Sequence, residues 1–271
     1  MRRVKTERFI KQMETSGSMP SVFECNDGET WYIKHIGNNR LHVINELIGA
    51  SLLQFLDLPT PEIALVEVVP ETIEGVRFYG KPPQGVAFGS RQLTGQSKSL
   101  DRGDLYQRQE IRKFSAPEAL TGIVLFDIWV YNTDRSLRNP NVLVEEVGKN
   151  SFRLVAIDHA VIFEDKEYSS MGRSMNNLPP TIEDSLINHP LYRNLHDSLG
   201  LFFSEEADRV LGRIEDVTES ELHDILKVIP DEWEVKETEK ESIIKHYLLP
   251  RKNLVRSFYQ QLLEDAKITL P

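Results

Sequence analysis

The sequence predicts an α+β protein: a small strand-rich N-terminal lobe over residues 1–93 that carries one helix, then a larger, mainly helical lobe over residues 94–271. Three observations predict it. Short β-rich runs bounded by turn residues cluster before residue 94, an almost wholly apolar helix follows Ser115, and the chain after about residue 181 is helical in pattern without a strong strand. The 271 residues, 40% hydrophobic and 27% charged, suffice for a substantial core and exclude wholesale disorder.

Residues 21–36 read as two strands around Asn26-Asp27-Gly28, a hairpin signal because Asn and Gly tolerate positive φ. Residues 42–57 read as an amphipathic helix with Val43, Leu47 and Ile48 on one face, stopped by Pro59 and Pro61. Residues 62–69 and 85–93 are the next strands, separated by a segment rich in Gly and Pro. Residues 94–113 are polar and read as a surface connection. Ser115-Ala116-Pro117-Glu118 has the form of a helix start, with Ser115 as N-cap and Glu118 at N3, and the helix of residues 117–132 should be buried. A polar loop and a hairpin over 142–158 follow. The helical remainder is interrupted at Pro250.

Charge and cysteine content narrow the functional classes. With 32 Lys+Arg against 42 Asp+Glu the net charge is -10, which argues against general nucleic-acid binding and against anionic membrane surfaces. No apolar run approaches the roughly 18 residues of a membrane span, and the basic N-terminus lacks the apolar stretch of a secretory signal. Cys25 is the single cysteine, so neither an internal disulfide nor a cysteine-paired zinc site is possible, and a cytoplasmic setting is expected. The seven His are scattered without metal-ligand spacing.

The most informative stretch runs from Phe126 to Phe163. If the hairpin turns near Gly148-Lys149, residues whose numbers sum to about 297 face each other, which brings Asn139 near Asp158 with Asp134 in the loop feeding the same end. Alone, such residues in a loop mark a turn. Together they form a set with specific chemistry: one carboxylate to orient a hydroxyl and accept its proton, and an amide oxygen with a second carboxylate as hard ligands for Mg2+. Asp127 lies among apolar residues of the preceding helix and reads as a buried support for the loop.

Upstream, Lys34 ends the second strand on the face opposite Trp31 and Ile33. Glu46, on a buried face of the following helix, needs a cation, and Lys34 is the nearest candidate. Such a pair holds a lysine against phosphates. The turn of residues 15–20, which includes Gly17 and Ser18, precedes the first strand of the hairpin and offers backbone N–H groups as a phosphate cradle, although it lacks the glycine-rich patterns.

In this order, FDIWVYNTDRSLRN (126–139) and LVAIDHAVIF (154–163), following the Lys34 strand and the Glu46 helix, resemble the HipA-like kinases, relatives of the protein kinases and phosphoinositide kinases. The resemblance covers roughly residues 15–165 and implies a two-lobed, protein-kinase-like fold. It implies Asp134 as catalytic base, Asn139 and Asp158 as magnesium ligands, Lys34 as the phosphate-binding lysine with Glu46 as its partner, and Ala87-Phe88-Gly89 as an adenine-binding hinge. It also implies ATP and Mg2+ as cofactors and a hydroxyl acceptor, foremost a protein Ser or Thr. Ser16, Ser18 and Ser21 are where self-phosphorylation would fall. Ser136 stands where many relatives have His, and His159-Ala160 follows Asp158 in place of Phe-Gly. The segment after Asp158, with Ser169, Ser170 and Ser174, occupies the position of a substrate-gating loop. Two other readings remain at this level: a lipid or small-molecule kinase of the same fold, and a nucleotide-binding pseudokinase or scaffold.

Overall fold

The computed structural model describes residues 1–14, 19–100, 108–163, 167–168, 179–183 and 185–268. Five strands close a barrel in the order β1-β2-β3-β5-β4: β1 (Arg3–Gln12), β2 (Ser21–Cys25), β3 (Thr30–Lys34), β4 (Ile63–Val68) and β5 (Gly85–Arg91). The expected hairpin is β2–β3, paired Ser21↔Ile33 to Glu24↔Thr30. Strand β1 departs from the expectation. Its charged sequence carries few apolar anchors, Val4 chief among them, yet it pairs antiparallel with β2 and parallel with β4, which closes the sheet. Its buried Thr6 hydroxyl is used fully, meeting Thr72 Oγ1 at 2.9 Å and accepting the Val69 N–H at 2.8 Å. Alternation along the strands fills the barrel with Val4, Phe23, Trp31, Ile33, Ala64, Val66 and Ala87.

Helix α1 (Arg40–Phe55) is capped by Asn39, whose side chain accepts the His42 N–H. It buries one long face, Ile44, Leu47, Ile48 and Leu52, in a second core that continues through α3 (Ala119–Val130) into the C-terminal helices. The sequence expectation of a wholly buried helix holds for α3, every residue of which is buried. Its start does not follow the expected cap. Glu118 is the N-cap residue, Ala116 takes φ 50, and Ser115 binds the Phe152 carbonyl through its N–H at 2.8 Å and its hydroxyl at 3.1 Å. With Ser115 tied to the strand and Ala116 left-handed, the helix begins only at Ala119 and Ser115 does not stand at its N-cap. The polar connection contributes β6 (Ser97–Ser99) and the short α2 (Arg108–Ile111).

Strand β6 joins β7 (Val142–Gly148) and β8 (Ser151–Ala156) in a three-stranded sheet. The β7–β8 hairpin turns over Lys149-Asn150, with Asn150 left-handed at φ 60, and after an irregularity between Glu146 and Gly148 its pairs run from Glu146↔Phe152 to Val142↔Ala156. That alignment is one residue displaced from the expected one, and it matters at the site. Helices α4 (Pro190–Leu199), α5 (Leu201–Asp216), α6 (Glu219–Leu226), α7 (Glu237–Glu241), α8 (Leu249–Lys252) and α9 (Val255–Asp265) complete the fold. The interruption expected at Pro250 is a π-helical segment, Ser242–Leu248, just before the proline that removes a donor. The Trp129 indole N–H donates to the Leu248 carbonyl at its end. Among the described residues, no helix is long and apolar enough to cross a membrane.

Candidate active site

The site begins where α3 stops. Tyr131 adopts the left-handed conformation (φ 50), and the chain turns into the polar loop. Asn132 holds the turn. Its amide donates to Asp127 Oδ1 at 3.0 Å, and its carbonyl oxygen accepts the N–H groups of Asp134 and Arg135 at 3.2 and 3.3 Å. Arg135 is fully buried and acts as the hub. It pairs with Asp127 at 3.0 Å, donates to the Ile157 carbonyl at 2.9 Å and meets His159 Nδ1 at 2.9 Å, with a further bond to the Asn141 carbonyl. Burial pushes the Asp127 carboxyl up to about 6 against the pull of Arg135. His159 is also buried and, with Arg135 beside it, is held well below the usual imidazole value, so it stays neutral and accepts at Nδ1.

The half-buried Asp134 carboxylate sits between two amides: Asn139 donates to Oδ1 at 3.0 Å and Asn141 to Oδ2 at 2.8 Å. The second group of residues lies across β3 and α1. Lys34 Nζ contacts Glu46 Oε1 and lies 3.1 Å from Asp158 Oδ1. Glu46 Oε2 accepts the His159 N–H at 2.9 Å. Burial, opposed by the Lys34 charge and reinforced by that of Asp158, pushes the Glu46 carboxyl up to about 7. For Asp158, burial is outweighed by Lys34, which holds the carboxyl below its ordinary range. Lys34 itself is held above the ordinary lysine value, since its two carboxylates outweigh its burial. Asp158 has φ 56, a conformation that Asp tolerates and that aims its side chain at Lys34.

Five of the residues singled out in the sequence therefore fall into two groups: Asp134 with Asn139, and Lys34 with Glu46 and Asp158. The one-residue change in the hairpin puts Asn141, whose carbonyl accepts the Ile157 N–H at 3.0 Å, opposite the end of β8; Asn139 stays in the loop on Asp134. Ala87, Phe88 and Gly89, expected as an adenine-binding hinge, fall within β5. Phe88 and Gly89 lie in β5 with β3 on one edge and β4 on the other, and Ala87 pairs with Val66 of β4. A Cβ on Gly89 would stand 2.4 Å from Val66 Cγ2, which places that position against the barrel interior. Ser21 is buried in β2, an inaccessible acceptor as it stands. Gly17 and Ser18 of the expected phosphate cradle, with Ser16, lie outside the described residues, as do Ser169, Ser170 and Ser174. Sequence reasoning missed Asn132, Asn141, Arg135 and His159 as individual contributors. The run of Asn and Arg around Asp134 was the available signal.

Comparison with known proteins gives this geometry its class. The crystal structure of the Helicobacter pylori proinflammatory kinase CtkA superposes with a TM-score of 0.57 over 96% of both chains at 11% identity, so the fold is that of a kinase. The crystal structure of the Golgi casein kinase aligns with 97% of this chain and 74% of that one, with a TM-score of 0.47 and 11% identity. No curated protein sequence matches. A family model described as HipA-like kinase matches residues 6–177, and the chain belongs to the HipA-like kinase family.

Proposed function

We propose that this protein is an ATP-dependent kinase that transfers the γ-phosphoryl group to a hydroxyl, foremost a Ser or Thr of a protein, itself included. The observation that carries the reading is a linked set: Asp134 held by Asn139 and Asn141, its neighbour Arg135 bound to His159, and beside His159 a lysine, Lys34, held between Glu46 and Asp158. In this reading the barrel with α1 is the N-lobe, residues 1–93, and the remainder is the helical C-lobe, residues 94–271. The adenine edge is met by the segment that leaves β5 after Arg91, in place of residues 87–89.

The donor set fits magnesium. Asp158 is partly exposed, with Oδ1 on Lys34 and a carboxyl contact to Glu46, and Asn139, with its nitrogen on Asp134, offers a carbonyl oxygen. Those two residues would hold the ion, which supplies neutralisation of the phosphate charge. Lys34 adds a fixed positive charge that Glu46 keeps in place. Asp134 orients the acceptor hydroxyl and takes its proton as the oxygen bonds to the γ-phosphorus and the bond to the β-phosphate oxygen breaks. Asn139 and Asn141 hold the carboxylate in position for that transfer.

The net charge of -10 supports a protein acceptor over an anionic lipid surface, and the presence of every group needed for transfer supports an enzyme over a pseudokinase. A cytoplasmic setting suits the lone, buried Cys25. The test is incubation of the protein with γ-labelled ATP and Mg2+, alone and with cell extract, followed by acid hydrolysis of the labelled species. Labelled phosphoserine or phosphothreonine is expected. Label found only in lipid or small molecules would move the assignment to the alternative acceptor class, and ATP bound without any transfer would indicate a pseudokinase.

A further inference from the structure

Asn45 precedes Glu46 on α1, is fully buried, and touches none of the groups assigned to phosphoryl transfer. Its amide nitrogen donates to the Ala160 carbonyl at 2.8 Å and the Ile162 carbonyl at 3.3 Å. Its carbonyl oxygen accepts the hydroxyl of Tyr168, a fully buried side chain, at 2.6 Å. One turn further along the helix, Gly49 gives His159 room; a Cβ there would stand 2.5 Å from His159 Cβ. With Glu46 taking the His159 N–H, one helix face grips the chain at residues 159, 160, 162 and 168. An apolar side chain at position 45 would fill the same space without the cost of burying an amide. What the amide adds is a fixed position for two backbone carbonyls just beyond Asp158.

We propose that Asn45 is a positioning residue for the metal-binding segment, with Tyr168 as its latch. It fastens residues 160–162 to α1 so that Asp158 keeps the left-handed backbone on which its carboxylate meets Lys34. This rests on the kinase reading and deepens it, since it makes α1 and the magnesium-binding segment a single unit. The two carboxylates that flank Lys34, Glu46 on the helix and Asp158 on the segment, then move together.

The test is binding of a fluorescent ATP analogue to the full chain, titrated with Mg2+, for the wild type, Asn45→Ala and Tyr168→Phe, with thermal melts alongside. Groups that orient a metal ligand tune metal affinity by about 10-fold or more, and Asn45→Ala, which releases the backbone two and four residues beyond Asp158, should raise the Mg2+ concentration for half-saturation by about 10-fold. Tyr168→Phe removes one hydrogen bond and should raise it about 5-fold. Binding of the analogue without Mg2+ should be unchanged in both, which a merely structural role would not give. If Asn45→Ala fails to fold, the isosteric Tyr168→Phe decides alone. An unchanged Mg2+ half-saturation in the folded variant, or an equal loss of metal-free binding, overturns the proposal while the kinase reading stands. A wild type that binds no analogue at any Mg2+ concentration overturns both.

Discussion

Replacing Gly49 by Ala should destabilise this protein, although the same substitution in an ordinary helix interior does the reverse. Alanine is favoured over glycine in a helix by about 1 kcal/mol, because it loses less backbone freedom on folding. In α1 the added methyl would lie 2.5 Å from His159 Cβ and 3.0 Å from Cγ, where ordinary contacts begin near 3.4 Å. His159 has little room to retreat. Its ring is held at Nδ1 by Arg135 and packs edge-on against Phe126, and its N–H is bound to Glu46. Overpacking of this kind costs about 1–3 kcal/mol, so the net effect is a loss of up to about 2 kcal/mol. Gly212 in α5 is the internal control, since a Cβ there meets nothing within 4 Å. Gly212→Ala should therefore stabilise by up to about 1 kcal/mol. Urea denaturation followed by tryptophan fluorescence, with equal slopes required for both variants, measures the difference. At this chain length each kcal/mol moves the melting temperature by about 2–4 °C, so the two variants should separate clearly in a thermal scan too. A Gly49→Ala protein as stable as Gly212→Ala would refute the close docking of α1 on the segment after Asp158.

Two further outcomes follow from the same contacts. Asn141→Gly keeps the left-handed backbone at this position (φ 46) and removes the donor to Asp134 Oδ2; kcat should fall about 10-fold with ATP affinity unchanged, as read from steady-state transfer and equilibrium binding. Burial raises Asp127 from 3.8 to about 6, so between those values the folded chain keeps a proton that the unfolded chain has released. Wild-type stability relative to Asp127→Asn should thus decline by about 3 kcal/mol as pH rises through that window and stay level above it. Denaturation curves at a series of pH values check this, and a constant difference would contradict the burial of a carboxylate beside Arg135.

Much of the site was legible because its residues are local in sequence. Asp134, Asn139 and Asp158 lie on one helix–loop–hairpin unit, within which the structure holds Asn139 on Asp134 and Asp158 on Lys34. Glu46 was legible because an acid on an apolar helix face demands a cation, and strand alternation put Lys34 on the side away from the barrel core. Long-range geometry was not legible. Strand β1 is a strand because β2 and β4 flank it, and its own sequence, with charges at most exposed positions, shows little alternation. The hairpin register depended on the two-residue turn at Lys149-Asn150 together with an irregularity between Glu146 and Gly148, which decided which asparagine lies opposite β8. Ser115 does not cap because Ala116 is left-handed and the helix starts three residues beyond it.

The most direct measurement compares wild type with Asp134→Asn for both ATP binding and transfer of the γ-phosphoryl group. If Asp134 accepts the hydroxyl proton while Lys34, Asn139 and Asp158 hold the nucleotide, the variant binds ATP with Mg2+ as the wild type does and its transfer rate falls by about 100-fold or more. Transfer that persists at the wild-type rate in Asp134→Asn would contradict the account at its centre.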